Sequence, residues 1–138
     1  MSQENVEIVR AHFAAWNAVD MDAIRELYHP DVIVRTVENW PEPGPHVGRE
    51  AVMRFHEQHR ETWDADAVEL IGDFIDIADH VLVRYVWRTL GHGPEANIEL
   101  TDVFTVRKGR IIGEESFWDH AEALEAIGLS DQDAHADS

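Results

Sequence analysis

The order of segments along the chain predicts an α+β fold: a cone-shaped, curved antiparallel sheet packed against three N-terminal helices, closed by a short C-terminal helix. Three observations predict it. Apolar residues recur at three- and four-residue steps near the N-terminus, where Val6, Val9, Phe13 and Trp16 fall on one face. Ile98 to Val106 alternates strictly, as a strand with two different faces does. Helical segments come first and strand segments later, rather than in βαβ alternation. A long bent sheet with helices on its concave side encloses an interior, and such an interior is a natural small-molecule site.

Taken in order, residues 3–19 read as the first helix, with His12 bordering its apolar stripe between Ile8 and Trp16. Asp20 suits the N-cap of a second helix over 21–28, which His29-Pro30 ends because a residue before proline avoids helical angles. A strand is expected over 31–37. The next eleven residues, 38–48, hold three prolines and two glycines and read as a loop, with Trp40 placed to fold over a pocket mouth. A third helix follows over 49–63. Strands are expected over 67–78, 80–90, 98–106 and 111–118, with a bulge at Gly72, turns at 91–94 and 107–110, and a final helix over 121–127. Residues 1–129 make one domain, and the acidic stretch 130–138, without large apolar residues, reads as a mobile tail.

Composition narrows the function. With 28 acidic against 11 basic residues the formal charge is −17, which disfavours nucleic acid and anionic membranes as partners. There is no cysteine, so disulfides, thiolate metal sites and a cysteine nucleophile are excluded. The opening residues lack a basic and apolar leader pattern and no apolar run reaches spanning length, so a cytoplasmic location is expected.

The least comfortable carboxylate is Asp102. It shares the apolar face of its strand with Leu100, Phe104 and Val106, where an acid needs a partner, a proton or a pocket. The same alternation puts Tyr85 and Trp87 on its side of the sheet. Asp119 has a second explanation, since Asp119-His-Ala-Glu122 has the spacing of a capping box. His56 and His59 stand one helical turn apart, but no HExxH or cysteine pattern accompanies them and no metal is expected.

The chain resembles the SnoaL-like branch of the nuclear transport factor 2-like superfamily, which includes ketosteroid isomerases, polyketide cyclases and limonene epoxide hydrolases. The resemblance covers roughly residues 4–129. It rests on residues 8–20 of the opening helix, on Leu27-Tyr-His-Pro-Asp31, on Val47-Gly-Arg-Glu-Ala51 and on the ending from Phe117 to Leu129. It implies the cystatin-like cone and a cofactor-free site. Position by position, Asp102 matches the isomerases' protonated oxyanion-binding acid, a case described in general treatments of pKa tuning. His12 replaces the tyrosine of the first helix, Thr36 stands where the isomerases carry their general base, and Asp119 matches the last-strand aspartate of cyclases and epoxide hydrolases.

The expected function is acid/base catalysis, as an isomerase, cyclase or dehydratase, on a small apolar carbonyl compound. Asp102 and His12 would stabilise or protonate a developing enolate oxygen, and Asp119 or Glu38 would move the carbon-bound proton. Trp16, Trp40, Tyr85, Trp87, Phe104 and Trp118 from strands, loop and first helix, with Phe55 and His59 from the third, would line a site for a hydrophobic or aromatic ligand. Missing its base at Thr36, the chain also fits a non-catalytic binding or dimerisation module; epoxide hydrolysis is a weaker alternative. A homodimer is expected through the convex sheet face, where Leu82, Val86, Thr101, Val103 and Thr105 lie beside Arg84, Arg88 and Glu99.

Overall fold

The computed structural model describes residues 2–63, 65–91 and 95–128, so the tail at 130–138 and most of the turn at 91–94 lie outside the described residues. The elements run α1 (Ser2–Asn17), α2 (Met21–Leu27), β1 (Tyr28–Arg35), β2 (His46–Val47), α3 (Arg49–Trp63), β3 (Asp66–Ile77), β4 (His80–Thr89), β5 (Asn97–Arg107), β6 (Arg110–Phe117) and α4 (His120–Ala126). One six-stranded sheet has the order β2-β1-β6-β5-β4-β3. The meander from β3 to β6 is antiparallel as expected, but β1 pairs with β6 in parallel, so the sheet is mixed. No helix among the described residues is long and apolar enough to cross a membrane.

Local chemistry explains most boundaries. Asp20 caps α2 by accepting from the Ala23 amide at 3.1 Å. The following strand begins at Tyr28 rather than at Asp31: its register against β6 breaks between Tyr28 and Ile33, so Pro30 sits where no ladder hydrogen bond is required of it. The loop at 38–48 contains the two-residue β2, paired with β1. In β3 the register against β4 slips between Ile71 and Ile75, and Gly72 adopts φ +67°, the bulge that bends this long strand.

Helices α1 to α3 cover the concave side. The main core joins Val9 and Phe13 of α1, Val52 of α3, and Val81, Val83, Phe104 and Ile111 of the sheet. The convex side has its own small core, because α4 lays Ala123 and Leu124 against Leu82 and Val103. Thr101 is buried there too. Three residues expected to face a second copy of the chain are therefore covered from within it. Val86 and Thr105 stay half-buried, beside a charged strip in which Arg84 is bonded to Glu99 and Arg88 to Glu69, each at 3.2 Å.

One buried carboxylate ties the concave elements together. Asp66, 6% exposed at the start of β3, accepts from the Trp16 indole of α1 at 2.9 Å, from the Trp87 indole of β4, and from Arg60 of α3 at 3.2 Å. Arg60 in turn lies 4.1 Å over the Trp16 ring and donates to the Trp16 carbonyl. Removing one member of such a set leaves the others desolvated and unpaired. Asp66→Ala should lower the unfolding free energy in urea by about 3–5 kcal/mol; a loss within the range of an ordinary surface substitution would show that these bonds do not hold the helices to the sheet.

Candidate active site

The sheet's inward face and the helices enclose a cavity of about 100 Å³. Its floor is polar and its walls are aromatic. On β5 the alternation holds: Leu100, Asp102, Phe104 and Val106 are all buried on the inner face, and Asp102 is 1% exposed. Tyr85, on the neighbouring strand, donates its hydroxyl proton to Asp102 Oδ1 at 2.8 Å.

Beside Asp102 stands a second carboxyl, Glu114 of β6, whose side chain is 10% exposed. Plain alternation from the buried Ile111 would turn Glu115 inward and Glu114 outward. The β5–β6 register slips by one residue, however: Val106 opposes Ile111 while Thr105 opposes Gly113, and Ile112 is the extra residue. The phase resets, and Glu114 and Ser116 line the cavity instead.

Glu114 belongs to a chain of bonds centred on Tyr28. The Tyr28 hydroxyl donates to Glu114 Oε1 at 3.2 Å and lies 3.0 Å from His12 Nε2 and 2.8 Å from His56 Nε2. A hydroxyl has one proton; with that proton on Glu114, both histidines donate from Nε2 to the Tyr28 oxygen. His12 Nδ1 is then an acceptor, buried and without a hydrogen-bond partner among the described residues.

Electrostatics separates the two acids. Burial pushes Asp102 up to about 6, opposed by its hydrogen bonds to Glu114, Ser116 and Tyr85. Burial raises Glu114 well above the usual carboxylate range, and the nearby charge of Asp102 raises it further. The two carboxyls titrate as a pair, each ionisation opposing the other, with Glu114 the one held higher. Burial depresses His12 to about 4 and His56 well below its ordinary value, so both are neutral. Both tyrosines are raised well above theirs, by burial first and the carboxylates second, and keep their protons.

The aromatic wall is built from Phe13 and Trp16 of α1, Phe55 and His59 of α3, and Trp87 of β4. Over it lies Trp40 from the 38–48 loop, stacked on His59 at 6.0 Å and edge-on to Trp87 at 5.7 Å. His59 is held between two acids, its Nδ1 3.7 Å from Glu42 and its Nε2 3.8 Å from Asp66. Its pKa is lowered to about 4 by burial, against the pull of Asp66.

The cavity thus brings together Asp102, His12, Trp16, Trp40, Phe55, His59, Tyr85 and Trp87. Four residues singled out in the sequence lie elsewhere. Asp119 is exposed and caps α4, accepting from the Ala121 amide at 2.9 Å. The Glu38 carboxylate is also exposed, and this residue offers its backbone carbonyl to the Trp118 indole at 2.9 Å. Trp118 stands at the rim, 48% exposed. Phe104 is fully buried under the rings of Phe13 and His12 and is core rather than lining. His56 and His59 turn to different partners, Tyr28 and the pair Glu42 and Asp66. The residues missed from sequence were Glu114, Ser116, Tyr28 and Asp66. Asp66 was findable, since it alternates with Val68 and Leu70 as Asp102 does with its neighbours.

Comparison with known proteins agrees with this architecture. The model of the SnoaL-like domain matches residues 9–114. No curated protein sequence matches the chain. Among solved structures, Bal32a from a soil-derived mobile gene cassette is 23% identical with TM-score 0.76, over 83% of this chain and 88% of that one. An NTF2-like protein of unknown function from Burkholderia pseudomallei is 21% identical with TM-score 0.75, over 94% and 100%. A candidate polyketide cyclase from Sinorhizobium meliloti is 28% identical with TM-score 0.66, over 80% and 93%. With most of its length matched by that domain and its cone of helices and curved sheet shared with NTF2-like structures, the chain belongs to the SnoaL-like family.

Proposed function

We propose that the protein is a cofactor-free acid/base enzyme acting on a small apolar carbonyl compound. The observation that carries this reading is the pair of buried carboxyls side by side on the cavity floor, both raised by burial and Glu114 the more strongly. The similarity to a candidate polyketide cyclase supports a carbonyl substrate. Asp102, held by Tyr85, is the base: it takes a proton from the carbon next to the carbonyl, the C–H pair becomes the enolate double bond, and the carbonyl π pair moves to oxygen. As Asp102 takes up the carbon-bound proton it no longer needs the Glu114 hydroxyl as a donor, and Glu114 turns that hydroxyl to the oxygen, lowering the cost of its negative charge. Return of the proton from Asp102 to a different carbon completes an isomerisation. Roles foreseen for His12, Asp119 and Glu38 pass to groups nearer the floor: His12 positions Glu114 through Tyr28, and the other two lie outside the cavity.

A second reading, a binding module without turnover, is favoured by Thr36, which occupies the cavity wall where the related isomerases carry their base. Exchange of substrate α-hydrogens for deuterium separates the two. Asp102→Asn should slow exchange by about 10²–10⁴-fold while the domain keeps its circular dichroism; a folded variant that exchanges at the native rate would remove Asp102 from the chemistry.

The pH dependence carries a sign. Exchange should rise with pH through about 6, as Asp102 loses its proton. Stability should move the other way. Asp102 binds its proton more tightly folded than unfolded, so its contribution is complete below about 4, declines as pH rises through about 6, and is absent above. Urea titrations of the native chain and Asp102→Asn should therefore converge below about 4, separate between about 4 and about 6 and keep a constant gap above, with the variant gaining relative to the native chain; curves parallel throughout would show that the folded state does not raise this acid.

A further inference from the structure

The sign of charge that the cavity admits follows first from what its wall lacks. Among the described residues no lysine or arginine lines it, and Arg60 is bonded instead to Asp66 and to the Trp16 carbonyl. Burial holds the three lining histidines low, His12 and His59 at about 4 and His56 well below its ordinary value. None of them supplies a positive charge at neutral pH. The whole chain carries a formal −17. An anionic guest would meet two carboxyls and no counter-charge.

What the cavity offers is acceptors and aromatic surface. Asp102 and Glu114 lie side by side on the floor, and His12, 4% exposed on the same lining, has its Nδ1 without a hydrogen-bond partner among the described residues. The walls add Phe13, Phe55, Tyr85 and Trp87, whose π-systems attract a cation. A protonated amine suits both features: its N–H groups donate to the acceptors, and its charge suits the carboxyls and the rings. It loses its own hydration on entry, but the floor lost most of its hydration when the chain folded, which leaves the protein side prepared. A positive guest also relieves the opposition between the two carboxyls, because it favours the ionised form of each.

We propose that the cavity selects its guests by positive charge, and that its ligand class includes small organic ammonium ions seated with the ammonium at Asp102 and Glu114. The proposal goes beyond the acid/base reading and does not rest on it, since the floor attracts a cation whether or not it moves protons. Three probes of one shape and different charge test it: benzylamine, benzyl alcohol and benzoate, titrated calorimetrically at pH 7 into the full chain, Asp102→Asn and Glu114→Gln. The native chain should bind benzylamine at least about tenfold more tightly than benzyl alcohol, with benzoate the weakest. Asp102→Asn should bring benzylamine and benzyl alcohol within about twofold of each other, and Glu114→Gln should narrow the preference about threefold, both with native circular dichroism. Raising salt from about 0.1 M to about 1 M, which shortens the reach of exposed charges from about 10 Å to about 3 Å, should leave most of the preference in place. Equal binding of benzylamine and benzyl alcohol, no saturation by benzylamine, a preference unchanged in both variants, or one that disappears in high salt overturns the proposal. Exchange of ketone α-hydrogens reads the acid/base chemistry separately. Charge preference without exchange would end the acid/base reading and leave this one standing; exchange without charge preference would do the reverse.

Discussion

Two carboxyl groups buried side by side on one floor oppose each other's ionisation, and the rest of the cavity is arranged around that restriction. Asp102 and Glu114 are both raised by burial, and each ionisation makes the other harder. Among the described residues no lysine or arginine lines the floor to relieve them. Instead they receive hydroxyls from Tyr85 and Tyr28, dipoles that stabilise charge without cancelling it. Behind Tyr28 the histidines at 12 and 56 are kept neutral by burial, and so steady the hydroxyl rather than compete for its proton. The result is two groups of the same chemical type side by side, both raised by burial but set apart by their surroundings.

Asp66 shows the other way this domain handles a buried acid. It has a guanidinium and two indole N–H groups within reach, all directed at its two oxygens. Three hydrogen bonds hold its two oxygens, and the group does not line the cavity. The contrast is functional. A carboxylate paired with arginine and fully bonded is a fastening, whereas one left with neutral donors beside a void retains capacity for a guest. The two sit on neighbouring parts of one concave surface, so the wall that Trp16 and Trp87 give the cavity is oriented by the same bonds that hold the helices down.

Much of the fold was legible because each element announces itself by period: helical spacing in α1, strict alternation in β5, proline and glycine in the 38–48 loop. Asp102 and its neighbour Tyr85 were legible for the same reason, since alternation assigns faces without reference to any relative. The parallel placement of β1 was not legible, because nothing local in a strand records which distant edge it will join. Glu114 was hidden by the single extra residue at Ile112, which reverses the faces of the strand after it; a slip of that kind has no composition signal beyond the adjacent Gly113. Asp119 offered two readings, capping and chemistry, and its placement on the surface agrees with the capping one. On the convex face apolar alternation says that a surface is covered, not what covers it, and over Leu82 and Val103 the covering is α4.

The pairing of the first strand with the last has a consequence for how the molecule comes into being. The Tyr28 to Glu114 bond spans 86 residues, across the one parallel contact in the sheet, and neither side chain has its partner until β6 has been made and threaded between β1 and β5. Closing so long a loop is entropically slow compared with zipping the hairpins of the meander. The hairpins from β3 to β6 can therefore assemble early as local structure, while the proton-carrying floor exists only after the two ends of the domain have met. On the ribosome, the chemistry would be the last thing to arrive.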